Sequence, residues 1–301
     1  MRNNTKLFNS ITKEKFEILE NIYTGIKSVP FKPRSNGIIQ FFKLKFKSQY
    51  IIESNTYFEN DKNEWNIIEY TKFGNLREFQ KNLLKKEILS ESILCFIAYQ
   101  ILNALKYIHK RKIVHLDLKP ENIIIDEHLN VKLINFSKSL DYNKNKLIKI
   151  KLPFVGADCY TSPEILFHKT IDLKDLNKID LYSLGVILFN LAYNSYPYGL
   201  KEKDGGINKD FSKTLKKIEI ENLDVNIEDG NYFSSYFKDF LKRLLEKNIN
   251  KRINIIEALE HYWIKGAQIL NDEKENLDDS KKFLDNLINN SLINFNHYIN
   301  N

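Results

Sequence analysis

The chain has 301 residues, a formal net charge of +7, and is 43% hydrophobic and 28% charged. That length leaves room for two lobes or domains, and the composition excludes a fibre or a disordered protein. Two cysteines, Cys95 and Cys159, lie far apart without metal-ligand spacing, which argues against a zinc site and for reduced thiols. The charge is spread through lysine-rich helix faces, so it reads as solvated surface and makes no case for nucleic acid.

In chain order, the first residues, M-R-N-N-T-K-L-F-N-S, are polar and lack the apolar core of a secretory signal, and no run approaches the roughly 18 apolar residues of a membrane span. The expectation is an intracellular, soluble protein of the cytoplasm or nucleus. Gly25, taken alone, is an ordinary turn glycine. The stretch I-I-Q-F-F-K-L-K-F after Asn36-Gly37 reads as a strand, and alternation puts Phe41, Lys43 and Lys45 on one face. From Ser90 to Lys110 the apolar positions Ile93, Phe96, Ile97, Ile101, Leu105 and Ile108 predict a helix buried on most faces, with Ser90 as its N-cap. Next comes I-V-H-L-D-L-K-P-E-N-I-I-I, Ile113 to Ile125, which crowds His115, Asp117, Lys119 and Asn122 into a loop between two short apolar strands. A hairpin leads on to V-K-L-I-N-F-S at Val131 to Ser137. Residues 138–151 carry five lysines against one aspartate, read as a solvated loop with docking of acidic partners as the alternative. A buried helix is predicted from Asp180, and residues 198–232 are polar and turn-rich. The tail offers Phe283, Leu284, Leu287, Ile288 and Leu292 for an amphipathic helix.

The segment from Ile113 to Ile125 resembles the catalytic loop of the eukaryotic protein kinases, H-R-D-L-x-x-x-N, and matches before and after it follow the order of that family over roughly residues 16–266. The resemblance implies an α+β, bilobal fold with a small β-rich N-lobe and a large, mainly α-helical C-lobe. The chain then divides into an extension at 1–15, the N-lobe at 16–70, the C-lobe at 71–266 and a tail at 267–301. It implies that Asp117 is the base that orients a substrate hydroxyl, that Lys119 steadies the transferred phosphoryl group and that Asn122 holds magnesium. Lys119 points to serine/threonine substrates. Lys43, with Lys45 as the alternative, takes the place of the phosphate-binding lysine. Gly25 belongs to the phosphate cradle, Ile68 is the gatekeeper, and Glu69, Tyr70 and Thr71 form the hinge to ATP. Asp180 is expected to anchor the catalytic-loop backbone, and Arg252 to pair with Glu164.

The same resemblance exposes departures. Eighteen residues after Asp117, the metal-binding aspartate of D-F-G is Asn135, so magnesium would rest on the neutral amides of Asn122 and Asn135. One cradle glycine of three remains, with Tyr23 and Ser28 at the other positions. Phe41 stands where a small residue packs on adenine. The helix that supplies a glutamate to the strand-three lysine is missing or reduced to a turn. Leu116 replaces the arginine that reads activation-segment phosphorylation, and Ala157 replaces a threonine that bonds the loop. Together these imply phosphoryl transfer from ATP that is impaired or lost, in a pseudokinase-type module engaging a protein partner. The alternative is an active, atypical serine/threonine kinase using ATP and magnesium on a protein substrate.

Overall fold

A computed structural model describes residues 48–52, 54–59, 64–68, 71, 74–83, 89–126, 130–143, 148–152, 159–199, 202–203, 206–207, 218, 223 and 233–267. Gly25, Phe41, Lys43, Lys45, Glu69, Tyr70, Ala157 and the tail from 268 onward lie outside them.

Strands β1 (Ser54–Glu59) and β2 (Glu64–Ile68) form an antiparallel hairpin with an irregularity between Ser54 and Thr56. Before it, residues 48–50 make a turn in which the Ile51 N–H bonds the Ser48 carbonyl at 3.2 Å, so the five described residues ahead of this hairpin contain no helix. After it, the chain enters the helical region at Gly74, whose φ of 68° suits a residue without a Cβ. The carbonyl of Gly74 accepts from Ile125, and Asn75 bridges to Ile124, so this junction is stitched to the strand that leaves the catalytic-loop segment.

Helix α1 (Leu76–Leu83) follows at once, and α2 (Glu91–Lys110) is the long helix that the sequence pattern predicts. The Ser90 side chain accepts from the Ile93 N–H, satisfying one of the donors a helix start leaves open. Two antiparallel pairs then frame the candidate site. Strand β3 (Ile113–Val114) pairs with Leu140–Asp141, and β4 (Ile123–Ile125) pairs with β5 (Val131–Leu133). The Leu133 N–H also bonds Tyr50, which holds the start of the described chain against β5.

Helix α3 (Pro163–Leu166) is short, and α4 (Lys178–Tyr193) is the axis of the core, buried at every position from Ile179 to Ala192. A helix apolar on all sides belongs inside a globular domain. Around it pack α2 and α5 (Ser235–Leu244), while Trp263, fully buried, stacks on Phe237 and Phe240 with ring centroids 5.0 and 5.1 Å away. Helix α6 (Ile255–Glu260) begins with a capping box between Asn254 and Glu257. Both cysteines are buried, and Cys95 Sγ donates to the Trp263 carbonyl at 2.9 Å. Among the described residues no helix is long and apolar enough to cross a membrane.

Candidate active site

The loop after β3 is fixed from below by a carboxylate. Asp180, in the first turn of α4, is fully buried; Oδ2 accepts the His115 N–H at 2.9 Å and His109 Nε2 at 2.8 Å, and Oδ1 accepts the Leu116 N–H at 2.9 Å. Burial alone would push this carboxyl up. The hydrogen bonds and the neighbouring imidazoles outweigh it and hold Asp180 below the usual carboxylate range. Leu116 sits at φ 62°, a left-handed conformation costly for a side chain with a Cβ, and the two bonds from its peptide region to Asp180 hold it there.

His115 is buried with its ring fixed at both nitrogens. Nε2 lies 3.0 Å from the Ile134 carbonyl and so carries the proton; Nδ1 is left to accept the Asp117 N–H at 3.3 Å. Burial lowers its pKa, and the ring stays neutral. Phe136 packs on it at 4.9 Å between centroids, as the sequence reading anticipates.

Asp117, Lys119, Asn122 and Asn135 do converge, and their arrangement is specific. Asn122 Nδ2 donates to both the carbonyl and Oδ2 of Asp117, at 2.7 and 3.0 Å. A carboxylate only accepts, so the amide nitrogen must face it and Asn122 Oδ1 must point away. That oxygen receives Asn135 Nδ2 at 3.0 Å, from a residue in the left-handed conformation that asparagine tolerates. On the other carboxylate oxygen, Asp117 Oδ1, Lys138 Nζ lies at 2.7 Å and Lys119 Nζ at 3.4 Å. Asp117 is 5% exposed at its side chain, Lys119 27% and Lys138 39%, so the cluster opens to solvent through its two ammonium groups.

Lys149 and Lys151 are exposed, as the reading of residues 138–151 as a solvated loop expects, but Lys138 departs from that reading and folds onto the candidate base. The local signal was its place three residues after Asn135, in a 3-10 turn over Phe136–Lys138 that swings it back. Arg77 was missed as well. Its guanidinium donates to Glu121 at 2.9 Å, to the Tyr160 and Tyr196 hydroxyls at 2.8 and 3.1 Å and to Asn190 at 3.4 Å, tying α1 to the catalytic loop and to α4. Thr71, of the expected hinge, is buried, and its hydroxyl meets no hydrogen-bond partner among the described residues. Glu164 and Arg252 form the expected buried pair, bidentate at 2.7 and 2.9 Å.

These residues do not fit a magnesium site. The two side chains at the expected ligand positions are neutral, they bond each other, and the Asp117 carboxylate beside them already faces two ammonium groups. A divalent ion here would meet repulsion where the family supplies compensating charge. Among the described residues no group of three or more His, Cys, Asp or Glu could hold a metal.

The sequence comparisons agree with the fold. A family profile for the protein kinase domain matches residues 39–264. The chain belongs to the eukaryotic serine/threonine protein kinase superfamily, with a bilobal kinase fold. It is 34% identical over 149 residues to NUAK family SNF1-like kinase 1 of Homo sapiens, half of this chain and 21% of that protein. It is 32% identical over 174 residues to calcium-dependent protein kinase 4 of Plasmodium falciparum, 56% of this chain and 30% of that one. Over 193 residues it is 25% identical to serine/threonine-protein kinase 4 homolog B of Dictyostelium discoideum, 64% of this chain and 17% of that one. The matched region thus spans less than a third of each of these relatives. The family match begins at residue 39, so it takes in Lys43 and Lys45 and leaves Gly25 outside.

Proposed function

We infer that this kinase-fold chain is a binding or regulatory module whose ATP-dependent phosphoryl transfer to protein serine or threonine is impaired or lost. The observation that carries the reading is the closed circuit from Asn135 through Asn122 to Asp117 and Lys138. Phosphoryl transfer depends on positioning together with charge neutralisation. Here the amide that replaces the metal carboxylate is spent on its neighbour. Both oxygens of Asp117 already accept donors, and Oδ1 faces two ammonium groups that compete with a substrate hydroxyl for it. The sequence of the small lobe, with one cradle glycine and Phe41 on the adenine side, supports the same conclusion.

The second reading, an active atypical kinase using ATP on a protein hydroxyl, is favoured by the retention of Asp117, Lys119 and Asn122 within one anchored loop. Thermal unfolding of the purified chain with ATP, in magnesium or manganese and in EDTA, separates the two, because a ligand bound by the native state raises its stability. The module reading expects no stabilisation that depends on the metal, and no phosphate transferred from labelled ATP to a mixed protein substrate. A clear metal-dependent stabilisation accompanied by transfer establishes the kinase instead.

A further inference from the structure

We propose that the acidic block Asp272–Asp279 of this chain's own tail docks on a basic seat at the C-terminal end of α2, so that the tail is clamped along the exposed stripe of that helix.

The seat is made of four exposed cations within seven residues, Lys106, Lys110, Arg111 and Lys112. None of them makes an ion pair with a described residue. The Arg111 guanidinium lies 3.6 Å from the centroid of the Tyr107 ring, and its Nη1 donates to the Tyr107 carbonyl at 3.1 Å, so this cation is already fixed and loses little freedom on binding. The helix dipole favours cations in the last turn, yet Lys106 and Lys110 repel each other across one turn. A row of carboxylates relieves that repulsion.

The stripe that leads to the seat begins where the described chain ends. Beyond the first turn of α2 the residues not fully buried are Tyr99, Asn103, Lys106, Tyr107 and Lys110, three or four apart and therefore on one face. One turn before Tyr99 stands Cys95, whose thiol donates to the Trp263 carbonyl at 2.9 Å and lies against the Ala267 backbone. The chain beyond Ala267 thus leaves from the head of this stripe. From Cys95 the helix rises about 16 Å to Lys106 and about 22 Å to Lys110. Asp272 and Asp279 follow Ala267 by five and twelve residues, a reach of up to about 16 and 40 Å. The block can therefore span the seat.

Its chemistry is complementary. Asp272, Glu273, Glu275, Asp278 and Asp279 place five carboxylates in eight residues, with Lys274 the one cation among them. Ile269, Leu270 and Leu277 interrupt the polar run, and the partly buried rings of Tyr99 and Tyr107 offer them apolar surface along the way.

The test is zero-length cross-linking of the full chain with a carbodiimide, which joins an ammonium to a carboxylate only where the two touch. An equal mixture of unlabelled and isotope-labelled chain separates links within one molecule from links between two. Mass spectrometry is expected to find the block joined to Lys106, Lys110 or Lys112 within one molecule, with a yield that falls about threefold or more in ~0.5 M salt. Lys106→Glu with Lys110→Glu, at two exposed positions, is expected to abolish the link to Lys112 as well. Adding Asp278→Lys and Asp279→Lys to that variant is expected to restore linkage, now with the amine on the tail. The proposal is overturned if the block links to none of the three lysines or chiefly to Lys265, the described lysine nearest to it along the chain. It is also overturned if the reversal leaves the Lys112 link unchanged, or if the double swap restores nothing. Links between differently labelled molecules overturn it in favour of a second copy of the chain.

Discussion

Oδ1 of Asp180 accepts the backbone N–H of Leu116 at 2.9 Å, across 64 residues of chain, and thereby holds a leucine at φ 62°. The same carboxylate serves His115 and His109. Asp180→Ala would strand these donors in a buried site, and leaving buried donors unsatisfied costs about 1–3 kcal/mol each, so a total of about 3–5 kcal/mol is expected. Urea denaturation is expected to show a loss of that size, with Asp180→Asn milder because one amide oxygen still accepts.

Glu164 and Arg252 are buried together, and the arginine also donates to the carbonyls of Lys178 and Glu246. Arg252→Met leaves an unpaired buried carboxylate, with an expected loss of about 3–5 kcal/mol. Combining it with Glu164→Leu should cost less than the sum of the two single changes. Additive losses in a double-mutant cycle would show that the pair contributes no coupling.

Gly185 lies where α4 meets the end of α5. A Cβ there would stand 2.9 Å from Leu244 Cβ and 2.9 Å from Leu245 Cγ, closer than carbon atoms pack. Gly185→Ala should therefore destabilise by about 1–3 kcal/mol despite alanine's better helix propensity. A midpoint equal to or above the wild type's would contradict this contact.

Asn135→Asp restores the carboxylate that the family pattern calls for at that position. Lys138 still caps Asp117 and the small-lobe sequence is unchanged, so phosphate transfer to protein is expected to stay at background. Robust transfer by this single variant would mean that the missing charge was the whole deficiency.

Acid should weaken the fold before its carboxylates titrate. His115 is held neutral below its ordinary 6.5, chiefly by burial, with Asp180 and Asp117 raising its pKa and His109 lowering it. The unfolded chain takes up this proton as pH falls past 6.5 and the folded chain does not, so stability is full above that value and declines beneath it, by up to about 1.4 kcal/mol per pH unit. Asp180, with its pKa depressed, adds a second loss at lower pH, below its ordinary 3.8. Urea midpoints from pH 7.5 to 5 should fall for the wild type and flatten for His115→Phe.

Local spacing made part of the fold legible: the cap at Ser90 and the hairpin from Ile123 to Leu133 follow from patterns in which a residue's neighbours fix its direction. The Asp180 anchor and the Glu164–Arg252 pair, which join residues 64 and 88 apart, were legible only through the family resemblance. Lys138 and Arg77 escaped for the opposite reason. Each is a long side chain whose partner is chosen by tertiary folding: Arg77 reaches groups 44, 83, 113 and 119 residues away. In a chain with 46 lysines and arginines, nothing in the composition marks which of them turn inward. The expected hinge residue Thr71 is buried beside the junction, while the assignments of Gly25, Lys43, Lys45 and Glu69 lie outside the described residues.

Arg77 stands one residue into the helix that follows the Gly74 junction, and it grips Glu121, the neighbour of Asn122. That makes it a strut: one guanidinium braces the start of α1 against the floor of the site, the Tyr160 and Tyr196 hydroxyls and α4 at once, so the junction and the catalytic loop share a single brace.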